Sequence, residues 1–293
     1  MRIVEYRAEH DGVLVGRLLR REGISHRLLV ELKKDPEGIT VAGQPVRSID
    51  RLHAGDVVRV QVRETDRSDI IPQPGLPLDL AYEDEDLFVV RKPAGMAVHP
   101  SPQNRENTVA NALAARYEQR GEPFAFRAIG RLDKNTSGLL VLAKNALSAC
   151  LLTAAAQQKR MFHEYLAVCT GELPPEGTID APIGRVDGSV IARQVRPDGE
   201  RAVTHYTRLA YANGYSLARI RLETGRTHQI RVHMQYIGHP LPGDFLYGPD
   251  IEAPIDRHAL HAALLTLPQP VTGERLCFSD PLPEDMRRFF PEL

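Results

Sequence analysis

Short apolar runs of strand length, out of regular alternation with helices, constrain this chain more than any other feature. Leu87–Arg91, Leu139–Ala143, Tyr165–Cys169 and Tyr215–Leu222 read as strands. Thr108–Gln119 has a helical pattern. So does a stretch from about Ala146 to Arg160, which Asn145 can cap and which carries Leu147, Leu151, Ala154 and Ala155 on one face. Strands outnumber helices and do not take turns with them. That pattern favours an α+β fold with a mixed or antiparallel central sheet over a doubly wound parallel sheet.

Residues 68–78 hold three prolines and a glycine, the composition of a stiff, extended connection. Ahead of it, Gly12–Arg21 and Ser25–Lys33 read as two short helices, with Ser25 an N-cap. Ile39–Val41 and Val57–Val62 read as strands, with a turn at Gly43-Gln44-Pro45. Two helices and a few strands in some 60 residues make a small core, a module rather than an enzyme. The expected organisation is a module over 1–67, a linker over 68–78 and a larger unit over 79–293.

The chain has 293 residues, of which 42% are hydrophobic and 26% charged, as in a globular protein and unlike a disordered or fibrous one. No apolar run approaches the roughly 18–20 residues of a membrane span, and the charged first residues lack the apolar stretch of an export signal. Cys150, Cys169 and Cys277 are too far apart for a metal knuckle and odd in number, so a reducing cytoplasm is the expected setting. Lys plus Arg total 37 against 38 Asp plus Glu, a net charge of −1 that argues at first against a nucleic-acid partner. Divided by segment, the balance changes. Residues 127–170 carry +4 and 183–235 carry +5, while 68–126 carry −4 and 236–293 carry −5. Two central basic blocks set a local field whatever the total is, although solvated faces would give the same count.

Three segments carry the chemistry. Gly130-Arg131-Leu132-Asp133-Lys134-Asn135-Thr136-Ser137-Gly138 is a tight loop running straight into a strand. Cations beside a carboxylate favour its charged form, and a charged carboxylate on a shaped loop can act as a nucleophile; it can equally just organise its own turn. In Glu223–Pro240, Thr227 can cap a helix with the stripe Ile230, Met234, Ile237, ended by Gly238. Arg226 and Arg231 then lie near the helix N-terminus, where the dipole disfavours cations, so an anion is expected beside them: a phosphate or the Asp133 carboxylate. His228 and His233 are five apart, off a common helix face, and no acidic partner matches them, so no metal is expected. Arg91–Pro100 leaves a strand through a rigid Pro/Gly loop and lacks the spacing of a phosphate-cradling loop.

Taken together and in this order, these segments resemble the RluA-type pseudouridine synthases. The matching stretches are Arg91–Pro100, Arg131-Leu132-Asp133 followed by Thr136-Ser137-Gly138, Tyr165 opening its strand, Gly225–His233, and Gly238–Asp244. The resemblance covers about residues 79–270, and the first 67 residues resemble, more faintly, a small αL-type RNA-binding module. It implies a pseudouridine synthase fold and isomerisation of uridine in structured RNA by breaking the N-glycosidic bond, turning the base and rejoining it through carbon, with no cofactor and no metal. It implies that Asp133 is the catalytic aspartate, attacking the uridine or taking a proton from its ribose. Tyr165 would pack on the base and take the carbon-5 proton, and Arg231 would pair with the aspartate. Arg131 would enter the RNA where the uridine flips out, and Arg226, His228 and Lys92 would contact the RNA. Gly130 stands where histidine is usual in this group, implying altered loop packing, and Ala42-Gly43 stands where Asn-Gly is usual in the module. Ribosomal RNA of the large subunit is the expected target, transfer RNA the alternative, and the expected state is a monomer. Flipping a base costs a few kcal/mol, which an inserted side chain offsets. Two rival functions remain: an RNA-binding assembly factor without catalysis, and a glycosidic hydrolase, which would need a second carboxylate. Glu164 and Glu223 are the acidic residues nearest the motifs in sequence.

Overall fold

Two sheets are built on either side of the proline-rich stretch. The computed structural model describes residues 1–64, 66–102, 104–249 and 253–292. The first sheet comprises β1 (Arg2–Arg7), β2 (Ile39–Val41), β3 (Gln44–Pro45) and β4 (Val57–Val62), in the order β1-β4-β2-β3. Helices α1 (Val15–Arg21) and α2 (His26–Leu32) pack on it, and Ser25 Oγ accepts from Leu28 N as the cap residue it was expected to be. The turn expected at Gly43–Pro45 lies one residue earlier. Ala42 and Gly43 take the left-handed φ values of 49° and 78° that a two-residue hairpin needs, and Gln44 and Pro45 already pair with Val41 and Thr40.

The large sheet is mixed. Its strands are β5 (Asp79–Glu83), β6 (Leu87–Lys92), β7 (Ala128–Ile129), β8 (Ser137–Ala143), β9 (Phe162–Thr170), β10 (Glu176–Asp180), β13 (Val203–Ala212), β14 (Tyr215–Leu222), β15 (Leu260–Pro268) and β16 (Arg275–Ser279); β11 (Ile183–Arg185) and β12 (Arg193–Val195) form a separate hairpin. The order β10-β13-β14-β9-β15-β8-β6-β5 joins two antiparallel halves through β8 and β15, which run parallel. Alternation along the strands explains the unbroken apolar runs. Leu87, Val89, Leu139 and Val141 face α4 (Ala146–Gln157), while Phe88, Val90, Leu140 and Leu142 face α3 (Val109–Arg120). Asn145 caps α4, and Thr108 and Asn111 form a capping box on α3. α4 stops at Gln157, three residues short of the expected end, because Lys159 turns left-handed at φ 56°.

The proline-rich stretch has no helix or strand, as expected, but it is not a free tether. It lies along α3: Ser68 N donates to Phe124 O, Asn111 Nδ2 donates to Ile71 O, and Gln73 N donates to Asn111 O. The first sheet's core extends into the second unit through Leu147 of α4, and the Cys150 thiol bridges Ser25 N and Gly23 O. Asp86, fully buried, accepts from Arg2, Asn145, Ser148 and Gln269. Arg2 of the first sheet thus pairs across to a buried carboxylate whose hydrogen-bonding capacity is filled.

At the junction of the two halves of the sheet, Ser137-Gly138 pairs with His261-Ala262, and Ala262 pairs on its other side with Tyr165. A Cβ on Gly138 would sit 2.3 Å from Ala262 O, and its φ is 107°, so only glycine allows this approach. The loop that precedes β8 thus opens two strands away from Tyr165.

Candidate active site

The loop from Gly130 to Thr136 is fixed from several sides. Gly130 takes φ 86°, which favours glycine over histidine here and accounts for the departure noted in the sequence. Leu132 is buried in the core beneath α3, which leaves Arg131 exposed and Asp133 half-buried. Lys92 Nζ donates to Lys134 O, Arg257 to Asn135 O, and the hydroxyls of Thr136 and Ser137 bond His258 and His261.

The expected anion beside Arg231 is Asp133. Arg231 belongs to α5 (Gln229–Tyr236) and is buried; its Nη1 donates to Asp133 Oδ2 at 3.0 Å. The rest of its guanidinium forks onto Asp244, with Nε at 2.6 Å and Nη2 at 2.7 Å. Asp244 was not singled out from the sequence. A Gly-Asp pair reads only as a turn, and nothing in the order of residues shows that one arginine serves two carboxylates. Asp244 Oδ1 also accepts from the backbone N–H of Leu246 and Tyr247. Burial pushes Asp244 up, but the arginine fork and those N–H groups outweigh it, and its pKa lies below the ordinary carboxylate value. Held ionised and out of solvent, it cannot serve as the second acid a hydrolase needs. Glu164 and Glu223 are engaged elsewhere, with Arg221 and Arg219 and with Arg201 and His205.

Thr227 does not cap α5. No side chain caps it: His228 stands at the N-cap position without a cap bond, while Gln229 holds the preceding turn, its Oε1 accepting from Arg226 N and its Nε2 donating to Val203 O. Thr227 Oγ1 instead accepts from Arg131 at 3.4 Å. His228 precedes the helix in a left-handed conformation, φ 59°, which turns its Nε2 to 3.9 Å from Asp133 Oδ2. Its Nδ1 meets the Tyr247 hydroxyl, which already accepts from Arg193 N and so has its proton free for the imidazole. Burial lowers the His228 pKa against the pull of Asp133, so the ring is neutral with Nε2–H toward the carboxylate.

Tyr165 sits beneath this cluster. Burial first, and the Asp133 charge second, push its phenol well above the ordinary value, so the hydroxyl keeps its proton. Lys92 departs from the expectation of an RNA contact. It is 1% exposed, and its three protons go to Pro93 O, Met96 O and Lys134 O. Burial pushes its ammonium down to about 7, yet three carbonyl acceptors fit only the protonated form. Arg226 is partly exposed and already paired with Glu200. Much of the basic block 183–235 is likewise tied to carboxylates: Arg196, Arg208 and Arg221 pair with Asp198, Glu172 and Glu164. Among the described residues Arg131 and Lys134 of the Asp133 loop make no ion pair, and neither do Arg160, Arg185 and Arg193 of the same blocks, so the loop keeps its free cations while much of the rest of block 183–235 is neutralised.

His258 gives a pH prediction. Burial and the Arg231 charge push it down to about 4, and its Nδ1 has no partner among the described residues, so a second proton would go unsatisfied. The unfolded chain takes that proton near 6.5. Stability is therefore complete above pH 6.5 and lost as pH falls toward 4, by about 2 kcal/mol between 6.5 and 5 from this residue. Urea unfolding at the two pH values measures it, and His258→Gln is expected to flatten the slope; an equal slope in that variant would assign the effect elsewhere.

The sequence profile of the RNA pseudouridylate synthases matches residues 86–236, the stretch that contains Asp133, Tyr165 and Arg231. The chain belongs to the RNA pseudouridylate synthase family. It is 38% identical to the Bacillus subtilis RNA pseudouridine synthase YjbO over 267 residues, covering 91% of this chain and 94% of that one. It is 40% identical to the ribosomal large subunit pseudouridine synthase D of Vibrio cholerae, covering 80% of this chain and 76% of that one. Among solved structures, human RNA pseudouridylate synthase domain containing 1 superposes with a TM-score of 0.61 at 26% identity, covering 74% of this chain and 89% of that one. The synthase is thus an isomerase of uridine in RNA, and its mixed α/β architecture is that of its structural neighbours. No helix among the described residues is long and apolar enough to cross a membrane.

Proposed function

We propose that this synthase converts uridines of large-subunit ribosomal RNA to pseudouridine with Asp133 as the reacting carboxylate. The observation that carries the reading is the Asp133–Arg231–Asp244 arrangement: one carboxylate is fixed yet still open to solvent on one side, and the other is sealed. The reaction breaks the bond from C1′ to N1, forms one from C1′ to C5, and moves the C5 proton away while N1 gains one. Asp133 acts at the ribose, by attack or by taking a proton, and Arg231 keeps its oxygen in place. Tyr165, its phenol kept protonated by burial beside Asp133, would pack on the flipped base. Arg131, exposed and unpaired, is the side chain that would occupy the gap left in the RNA. Residues 1–67, with their own sheet and core, are inferred to be an RNA-binding module. The Vibrio relative supports ribosomal RNA as the target by its name. The setting is inferred to be the reducing cytoplasm from three cysteines that are all free.

Carbodiimide primer-extension mapping of total RNA from a strain lacking the gene tests the target. Loss of pseudouridines in large-subunit ribosomal RNA is the expected result. Losses confined to transfer RNA would replace the substrate, and no loss anywhere would reject the enzyme reading in favour of an assembly role.

A further inference from the structure

Phe245 is a large apolar side chain that packs into no core. It is 72% exposed, directly after the buried Asp244. Exposure of this kind usually accompanies a mobile loop, but this loop is built to be rigid. The Asp244 carboxylate binds Arg231 and the N–H groups of Leu246 and Tyr247. Gly248 N donates to Asp244 O at 2.7 Å, and a Cβ on Gly243 would lie 2.3 Å from Arg257 O. Both ends of the turn are thus pinned to backbone, and Phe245 is held out in water by its neighbours. Its ring centre lies 5.8 Å from the Arg231 guanidinium carbon, and that guanidinium touches Asp133. An aromatic face fixed in solvent, one guanidinium away from the reacting carboxylate, is what stacking on an unpaired nucleobase requires.

We propose that Phe245 is the stacking platform for the nucleobase adjoining the target uridine, and that it thereby selects uridines in unpaired or loop segments. Arg131 fills the gap that the uridine leaves, and the phenyl ring takes the face of the adjoining base that is turned out of the stack with it. The proposal rests on Asp133 being the reacting group. Stacking of this kind contributes about 1–3 kcal/mol per base, roughly 5- to 150-fold in binding. It involves no phosphate, so the salt dependence of binding stays unchanged.

The test uses protein-free total RNA from the deletion strain, which contains the target whichever RNA it is. Wild type, Phe245→Ala and Phe245→Tyr are compared by the concentration dependence of pseudouridine formation at the mapped positions. Phe245→Ala is expected to raise KM at least about fivefold with kcat within twofold, and Phe245→Tyr to stay within threefold of wild type in both. The same comparison in an Asp133→Asn background, read as Kd by filter binding at two salt concentrations, should show the same weakening and the same salt slope. An unchanged KM in Phe245→Ala, a loss confined to kcat, or a tyrosine variant as weak as alanine would each overturn the platform. Activity retained by Asp133→Asn alone would instead overturn the reading of the reacting group, so the two failures are separable.

Discussion

Asp133→Asn is expected to abolish pseudouridine formation while leaving the fold and the affinity for RNA nearly intact. The amide keeps the size of the carboxylate and can still accept from Arg231 Nη1 through its oxygen, so the loop held by Leu132, Lys92 and His258 stays in place. What is lost is an anionic oxygen at the ribose, needed whether it attacks carbon or takes a proton. We expect the rate to fall by at least about 10⁴-fold, or about 5.5 kcal/mol of barrier. Single-turnover conversion of the deletion-strain RNA measures the rate, and thermal unfolding measures the fold. A variant that still modifies RNA within tenfold of wild type would remove Asp133 from the chemistry.

The largest expected loss of stability follows from Arg231. Its side chain is 3% exposed and that of Asp244 is 0% exposed, so Arg231→Met leaves a carboxylate in the interior with only two backbone N–H partners. Removing one partner of a buried pair costs about 3–5 kcal/mol, because the other charge stays behind. Arg231→Lys is expected to be inactive as well, since an ammonium cannot fork onto Asp244 and still reach Asp133. The double variant Arg231→Met with Asp244→Leu separates the two effects. Replacing a buried pair by apolar side chains is close to neutral, so much of the urea midpoint should return while activity does not. If activity returned with stability, the pair would serve only the fold.

Lys92 shows how burial revises a reading of sequence. The resemblance made Lys92 an RNA contact, and residue order does not reveal that its ammonium gathers three backbone carbonyls, one of them from the Asp133 loop. Thr227 is a similar case. A threonine ahead of an apolar stripe has the chemistry of a cap, but the chain turns left-handed at His228, which takes the N-cap position with no side-chain cap bond and aims its ring at Asp133. The charge blocks changed in meaning too. Segment totals placed positive charge around the motifs, but they count an arginine in an ion pair the same as a free one. Arg196, Arg208 and Arg221 are spent on carboxylates, whereas Arg131 and Lys134 are free.

Local pattern was enough for the elements. Strand-length apolar runs, Ser25 and Asn145 as caps, and the Gly-rich approach to β8 all act over a few residues, so the α+β class and most element positions were legible. The motifs around Asp133 and Arg231 identified the family, and the dipole argument called for an anion beside Arg231. The resemblance named Asp133 as that anion; the tertiary structure alone decided that Asp244 is a second one. It did so because β8 and β15 run parallel, with Gly138 packed against Ala262, which brings the Asp133 loop to Tyr165 and to the Asp244 turn. Residues about 100 positions apart meet there by register, and neither periodicity nor spacing along the chain carries register between distant strands.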